Sequence, residues 1–468
     1  MSGFFIKGET KERPGLYKRI EDITTYPQVR ERIGCAVVSA NWGPIGVPKL
    51  IQRTDDWAKI IGSGSGYDTL KEVFVGGAKK VVLVRVGSTG TKATLTLTDD
   101  ASTPVNVVTL TAKYAGTYPL AISIKADLND ASVKNVTIYT GDTVLEKFKI
   151  AAGTAEIDGI VAELVNSEYI DATKLAAGSG TLDDVTKSSL TGGADPTVNT
   201  TAYADGLEAA NTEVFDTICV DTNDTAVHAV LAAFVERIYK EGDYPITVIS
   251  EPKTVARATR LAHAAAYNNE KIVYVLGSWK DAAGTVYSGY KAAARIAGMI
   301  TAIPCNNSLT HKPIEGAVEL DEALTNSQII EAIRSGCLII SKSKTSDVMI
   351  EKAINTLVVP GPDQDAGWKK IRRVMTRFEM MSRIDVTLEP FVGSVNNDPD
   401  GRAAIIAAAQ SVLDAMIGEG KLFPGATVFL DENNPPIADS AWFIIQADDI
   451  DSFEIGYLTY QFRFAPEE

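Results

Sequence analysis

Between residues 215 and 341 the chain repeats one pattern: a short apolar run, then a longer stretch with apolar residues every three to four positions. "FDTICV" (215–220), "YPITVIS" (244–250), "KIVYVLG" (271–277) and "CLIIS" (337–341) are the short runs. Each is β-branched and almost continuously apolar, as a strand covered on both faces must be. The stretches between them read as helices. In "TAVHAVLAAFVERIYKEG", Val227, Val230, Leu231, Phe234 and Ile238 share one side of a 3.6-residue helix. Strands of this kind alternating with amphipathic helices leave little choice of architecture: they predict a parallel sheet covered by helices. Two earlier runs, "IGCAVVSA" (33–40) and "KKVVLVRV" (79–86), have the same character, with "DDWAKIIG" and "GYDTLKEVFVGG" as short helices between them.

From about 90 to 195 the texture changes to short, Thr- and Val-rich alternating runs such as "TKATLTLTDD", "VNVVTLTA" and "NVTIYTGD". These predict a small all-β module. Its exit, "GSGTLDDVTKSSLTGGADP", has the composition of a flexible boundary. Residues 1–30, broken by Pro14, Gly15 and Pro27, read as an extended arm. After residue 357 two helices are expected, at 367–384 and 400–423. The first has Trp368, Ile371, Val374, Met375, Phe378 and Met381 on its apolar face, and the second Ile405, Ile406, Ala409, Val412, Leu413, Met416 and Ile417. Three strand candidates follow: "ATVFL", "AWFIIQA" and the terminal "EIGYLTYQFRF". In that terminal run Leu458, Tyr460, Phe462 and Phe464 alternate with Tyr457, Thr459, Gln461 and Arg463, the period of a strand with one apolar face. A strand needs partners for its backbone groups, either in its own sheet or in that of another chain.

The chain carries 45 Lys and Arg against 60 Asp and Glu, an acidic balance that argues against a general nucleic-acid binder. No run approaches the ~20 apolar residues of a membrane helix, and "MSGFFIKGETKERPG" lacks the apolar core of a signal peptide. Cys35, Cys219, Cys305 and Cys337 form no CxxC pair, which fits a reducing, cytoplasmic place of synthesis and no zinc site. Catalytic motifs are equally scarce. His228, His263 and His311 sit in no ligand spacing. "GSGSG" (62–66) has glycine where a nucleophile elbow needs serine, and it fits neither GxGxxG nor a P-loop. "DQD" (363–365) reads as the acidic first turn of a helix. No metal, cofactor or catalytic residue is expected. The helix at 367–384 is conspicuously basic, with Lys369, Lys370, Arg372, Arg373, Arg377 and Arg383. Two readings stand: a solvated face balancing acidic neighbours, or an electrostatic contact with another subunit.

The order of these features resembles that of the tail sheath proteins of contractile bacteriophages and tailocins. "RPGLYKRIED" resembles the family's arm motif, although Leu16 stands where valine is usual. The Arg372-Arg373 pair, the step Gly420-Lys421-Leu422-Phe423 and the element Asn434-Pro435-Pro436 follow in the family's order. The resemblance implies a subtilisin-like, non-catalytic α/β core in two parts, residues 31–90 and 196–356, with an inserted β-sandwich domain (91–195) facing outward. It further implies an α+β C-terminal domain (357–468) and extended arms at both ends. Subunits would form six-fold rings stacked helically around an inner tail tube, ending at baseplate and tail terminator proteins. They would contract to drive the tube through a cell envelope, with no nucleic acid and no membrane insertion. Assembly would take place in the bacterial host cytoplasm, and the mature protein would sit in a virion tail or tailocin. Leu16, Tyr17 and Ile20 in the arm, and Tyr457, Leu458, Tyr460, Phe462 and Phe464 at the end, would exchange strands with neighbours. Arg402, Glu419 and Lys421 would be polar contacts to the tube, with the basic helix as the competing surface. An α/β hydrolase with an unrecognised site and a static self-assembling protein are the alternative readings.

Overall fold

The computed structural model describes residues 31–463 and two short strands before them, Ser2–Phe4 and Leu16–Lys18, which pair in parallel. The chain divides into two compact units, one of Arg32–Met375 with Ser452–Glu468, the other of Met1–Glu31 with Thr376–Asp451.

The first unit is built on an eight-stranded sheet. Its order is Val348–Lys352, Cys337–Lys342, Ile272–Leu276, Ile246–Ser250, Thr217–Val220, Gly34–Ser39, Lys80–Val86 and Lys49–Gln52. The six inner strands are parallel and the two edge strands antiparallel. All six inner strands lie where their apolar runs predict; the short edge strands carry no comparable run. One face packs on the helices Thr200–Ala210, Thr225–Glu241, Arg257–Tyr267 and Asn326–Arg334, through a core that includes Val37, Val84, Leu207, Leu231, Phe234 and Ile339. Alternate residues face the helices Ser65–Val75 and Tyr290–Ala302. These two cross at Gly76 and Gly298, where a Cβ on Gly298 would stand 2.0 Å from the carbonyl oxygen of Val73. Only glycine admits so close an approach. Helix ends follow their local chemistry. Asp224 caps Thr225–Glu241 through the amide of Ala226, and Gly242, with φ of 108°, ends it.

The stretch from 94 to 189 forms two facing sheets. One has four strands, in the order Thr143–Ala151, Val133–Thr140, Leu120–Ala126 and Val185–Ser189; the other has three, Ile170–Lys174, Asn106–Ala112 and Thr94–Thr98. Val108, Leu110, Ile122, Ile124, Val136 and Ile138 meet between them. The all-β expectation missed one helix, Glu156–Leu164, whose Ile157, Ile160 and Leu164 are buried in the same core. Entry and exit strands run side by side: the amide of Ser88 donates to Thr197 O at 3.0 Å, and those of Thr91 and Ala194 exchange bonds at 3.1 Å.

In the second unit, Ile384, Ala409, Val412, Leu413, Met416, Leu422 and Val428 form a small core between helices and a hairpin. The hairpin pairs Thr427–Leu430 with Phe443–Gln446. The helix Pro399–Gly418 matches its predicted stripe. The basic helix begins later than predicted: Ala366–Lys369 is a 3-10 turn, and the α-helix is Ile371–Leu388, within which the two units divide. The third strand candidate is corrected: residues 451–463 adopt no strand.

Candidate assembly surfaces

The chemistry at the carboxyl ends of the parallel strands is structural. Asp221, buried just after Thr217–Val220, accepts from Ser39 N (3.0 Å), Ser39 Oγ (2.6 Å), Ser65 Oγ (2.5 Å) and Tyr203 Oη (2.5 Å). Burial raises its pKa despite these donors. Both serines of this cluster therefore donate to the same buried carboxylate, which ties Ser39, Ser65 and Tyr203 together. The "GSGSG" turn shares in it: Gly64 caps the helix that starts at Ser65, and Ser63 N donates to Asn41 Oδ1 at 2.8 Å. His228 is buried with Nε2 3.0 Å from Thr222 O, and burial lowers its pKa. His263 Nδ1 lies 2.8 Å from Glu251 Oε2, and His311 sits in a loop with φ of 60°. Among the described residues, none of the three hydrogen-bonds a Ser, Thr or Cys side chain. No cluster of three metal-ligating side chains occurs among the described residues.

The basic stretch resolves into particular pairings. In the first unit, Arg372 is buried, not displayed, with Nε donating to Asn306 O at 2.7 Å. Arg373 reaches Asp365 at 3.4 Å, and Lys370 meets Glu454 at 3.3 Å. Burial, with Lys352 nearby, holds the half-buried Lys369 ammonium below the ordinary lysine range. In the second unit, Arg377 pairs with Asp449 at 3.0 Å. Arg383, also buried, bonds Glu379 at 2.5 Å and Glu419 at 2.8 Å. Most of the positive charge is therefore answered within the chain, and Arg372 and Arg383 are buried and not part of a solvated face.

The tube-contact candidates also change character. Lys421 is buried, 2.6 Å from Glu379 and 2.5 Å from Glu419. Burial raises the Glu419 pKa, but hydrogen bonds and charge from Arg383 and Lys421 outweigh it and bring it down to about 2. Arg402 turns back on its own helix start, with Nη1 2.8 Å from Asn397 O. Lys421 and Glu419 are thus paired within the chain, and Glu419 stays partly open to solvent. The outer face of Pro399–Gly418 is instead small: Ala403, Ala404, Ala407 and Ser411 are exposed there, with Asp414.

The terminal run is the largest exposed apolar feature described. Tyr457 is 93% exposed, Leu458 79%, Tyr460 75% and Phe462 88%, with Phe453 and Ile455 also exposed. Leu16 and Tyr17 lie in the strand Leu16–Lys18; Ile20 and Phe464 lie outside the described residues. Two features of the first unit escaped the sequence. Trp42, from the α/β core, is buried in the β module, its ring 4.8 Å from that of Tyr118, 5.1 Å from Tyr114 and 5.8 Å from Tyr169. Arg85 is buried beside it and donates to Ala40 O (2.9 Å), Gly43 O (2.5 Å) and Ala115 O (2.8 Å). Its pKa is brought down to about 10 by burial, which leaves it charged at neutral pH. No periodicity flags either residue, because each matters only where core and module meet.

The fold thus combines a parallel α/β core, an inserted β-sandwich and an exposed apolar terminal run. Residues 88–195 match the phage tail sheath protein beta-sandwich domain and residues 197–356 the phage tail sheath protein central domain, together more than half of the chain. The chain belongs to the phage tail sheath protein family and is a structural subunit of a contractile tail sheath. The phage-like element PBSX protein XkdK of Bacillus subtilis is 27% identical over 76% of this chain and 75% of its own length. Among solved structures, the sheath tail protein of Desulfitobacterium hafniense superimposes with a TM-score of 0.72 at 21% identity, covering 93% of this chain and all of that one. The helical sheath of the anti-feeding prophage in its contracted state gives 0.54 at 11% identity, covering 97% and 99%. The two structural likenesses concern the fold.

Proposed function

We propose that the subunit polymerises by strand exchange into stacked six-fold rings around an inner tail tube, and that contraction of this sheath drives the tube through a target envelope. The observation that carries the exchange is the run Tyr457–Phe462: apolar on alternate residues, exposed, and in no sheet among the described residues. Such a segment is an aggregation hazard unless another chain supplies the ladder. The arm around Leu16–Lys18 is the second exchange element. The α/β core, subtilisin-like in layout, serves as a rigid body, since Asp221 and its serines hold one another in place. No nucleotide is required, because an assembly can store free energy in one packing and release it in another. The tube contact falls on the small-residue face of Pro399–Gly418, where Ala403, Ala407 and Ser411 permit close approach, and the Glu419–Lys421 network braces that helix from behind. Baseplate and terminator proteins are the partners at the two ends, assembly takes place in the bacterial cytoplasm, and the β module faces outward.

Deleting Tyr457–Glu468 tests the exchange. The truncated chain is expected to keep its far-ultraviolet circular dichroism and to sediment without polymers. Tubes or stacked rings of ordinary length from it would refute strand exchange at this end.

A further inference from the structure

We infer that Glu454 is a clamp that fixes the root of the terminal strand to the α/β core, so that the free length of the arm is metered from residue 455. The inference rests on the strand-exchange reading above and adds the residue that sets its geometry. The residues after Glu454 lie open to solvent, yet the Glu454 side chain is only 10% exposed. One carboxylate oxygen, Oε1, accepts from Ser452 Oγ at 3.1 Å, Thr310 Oγ1 at 3.2 Å and Ser308 Oγ at 3.4 Å. The other, Oε2, lies 3.3 Å from Lys370 Nζ. Two hydroxyls and an ammonium from the core make a receptor for a single acidic side chain, and the arm's own Ser452 adds a local bond.

The receptor belongs to the rigid part of the unit. Thr310 Oγ1 also accepts from Ala353 N at 3.1 Å, and Ser308 Oγ from Thr310 N at 3.1 Å, so both hydroxyls are oriented before Glu454 arrives. The same turn is laced to the edge strand Val348–Lys352, with His311 N donating to Ile350 O at 2.7 Å and Ile350 N to Lys312 O at 3.0 Å. Lys370 is bridged to Ile354, just past that strand. Glu454 thus reads the position of the central sheet and passes it to the arm. Among the described residues the open run covers nine, 455–463, a reach of roughly 30 Å fully extended. Releasing the clamp adds residues to the leash and lets its first bond point anywhere, and both lower the effective concentration of the strand at a neighbour's sheet.

The test uses the full chain. Because Cys35, Cys219, Cys305 and Cys337 are all buried, cysteines introduced by Leu458→Cys and Asp243→Cys take spin labels selectively. In the monomer, the distance between these labels is expected to be narrowly distributed, to broaden in Glu454→Ala and in Lys370→Ala, and to broaden less in Glu454→Gln, which keeps an acceptor for the hydroxyls. The critical concentration for polymerisation is expected to rise several-fold in Glu454→Ala and in Lys370→Ala. An unchanged distance distribution in Glu454→Ala overturns the clamp, whatever happens to assembly. Wild-type assembly of Glu454→Ala, while deletion of Tyr457–Glu468 abolishes polymers, overturns its role in exchange and leaves the exchange itself standing. Polymers from the deletion variant refute the exchange reading, and the distance measurement still decides whether the clamp exists.

Discussion

The β module and the terminal arm are both appended to the same α/β core, and they are attached in opposite ways. The module is welded. Its two connecting strands pair with each other, Trp42 of the core is stacked among three module tyrosines, and Arg85 ties carbonyls on both sides. The arm is held at its root by one carboxylate, and its apolar side chains touch water. On the strand-exchange proposal, the difference separates surfaces that are complete within one chain from surfaces made for another. Folding must bury the first at once, so their residues cost stability when removed. The second contribute nothing until assembly, so their removal should be silent in the monomer.

The largest effect is expected at Trp42. Trp42→Ala empties a site that is 97% buried, counting from its 3% exposure, and should destabilise the first unit by about 3–5 kcal/mol. Urea unfolding followed by near-ultraviolet circular dichroism reads this directly. A cost below about 1 kcal/mol would mean that the module is hung on the core and not welded to it. Arg85→Met comes next. It keeps the volume but leaves the carbonyls of Ala40, Gly43 and Ala115 without their donor. A cost of about 2–3 kcal/mol is expected, because orphaned buried acceptors lose their desolvation energy in full. Faster proteolysis between core and module should accompany it.

How far these roles were legible in the sequence follows the same division. The inner strands declare themselves, since Val82, Val84, Ile218, Val248 and Val275 can be nothing but interior. The helix Glu156–Leu164 did not, because its roughly two turns of apolar spacing are lost amid alternating β runs. Arg372 and Arg383 read as surface charge and are buried, because the partners that satisfy them, Asn306 O and Glu419, come from distant positions. Glu454 was invisible for the same reason: Ser308 and Thr310 lie 146 and 144 residues away. The terminal run shows a different limit. Its period of two is that of a strand, but a strand is a property of a pair, and residues 451–463 adopt no strand.

The Glu419 network sharpens the comparison from within the second unit. Glu419 has a folded-state pKa of about 2 against an ordinary 4.5, so its contribution is complete above about pH 4.5 and is lost as pH falls through 2. Glu419→Gln should therefore lower the melting temperature at neutral pH, and the gap from wild type should close as acid is added. Because the side chain is 34% exposed and screened by solvent, the effect should stay below about 1 kcal/mol. A gap that widens toward low pH would mean that Arg383 and Lys421 do not act on this carboxylate as the distances imply.

The smallest effect is expected where the most apolar surface lies open. Changing Tyr457, Leu458, Tyr460 and Phe462 together to serine removes four large side chains, each at least 75% exposed. In a welded region four such changes would unfold the unit. Here the folded monomer buries almost none of the surface removed, so the transfer term that normally makes such changes costly is absent. Monomer stability should stay within about 0.5 kcal/mol of wild type, the range of surface substitutions away from packed features. Monomer solubility should rise as the exposed apolar run disappears, and polymerisation should be lost. The two outcomes must come together for the contrast to hold. A destabilised monomer would show that the arm packs on its own chain in solution, and the division between welded and tethered parts would then fail at its clearest point.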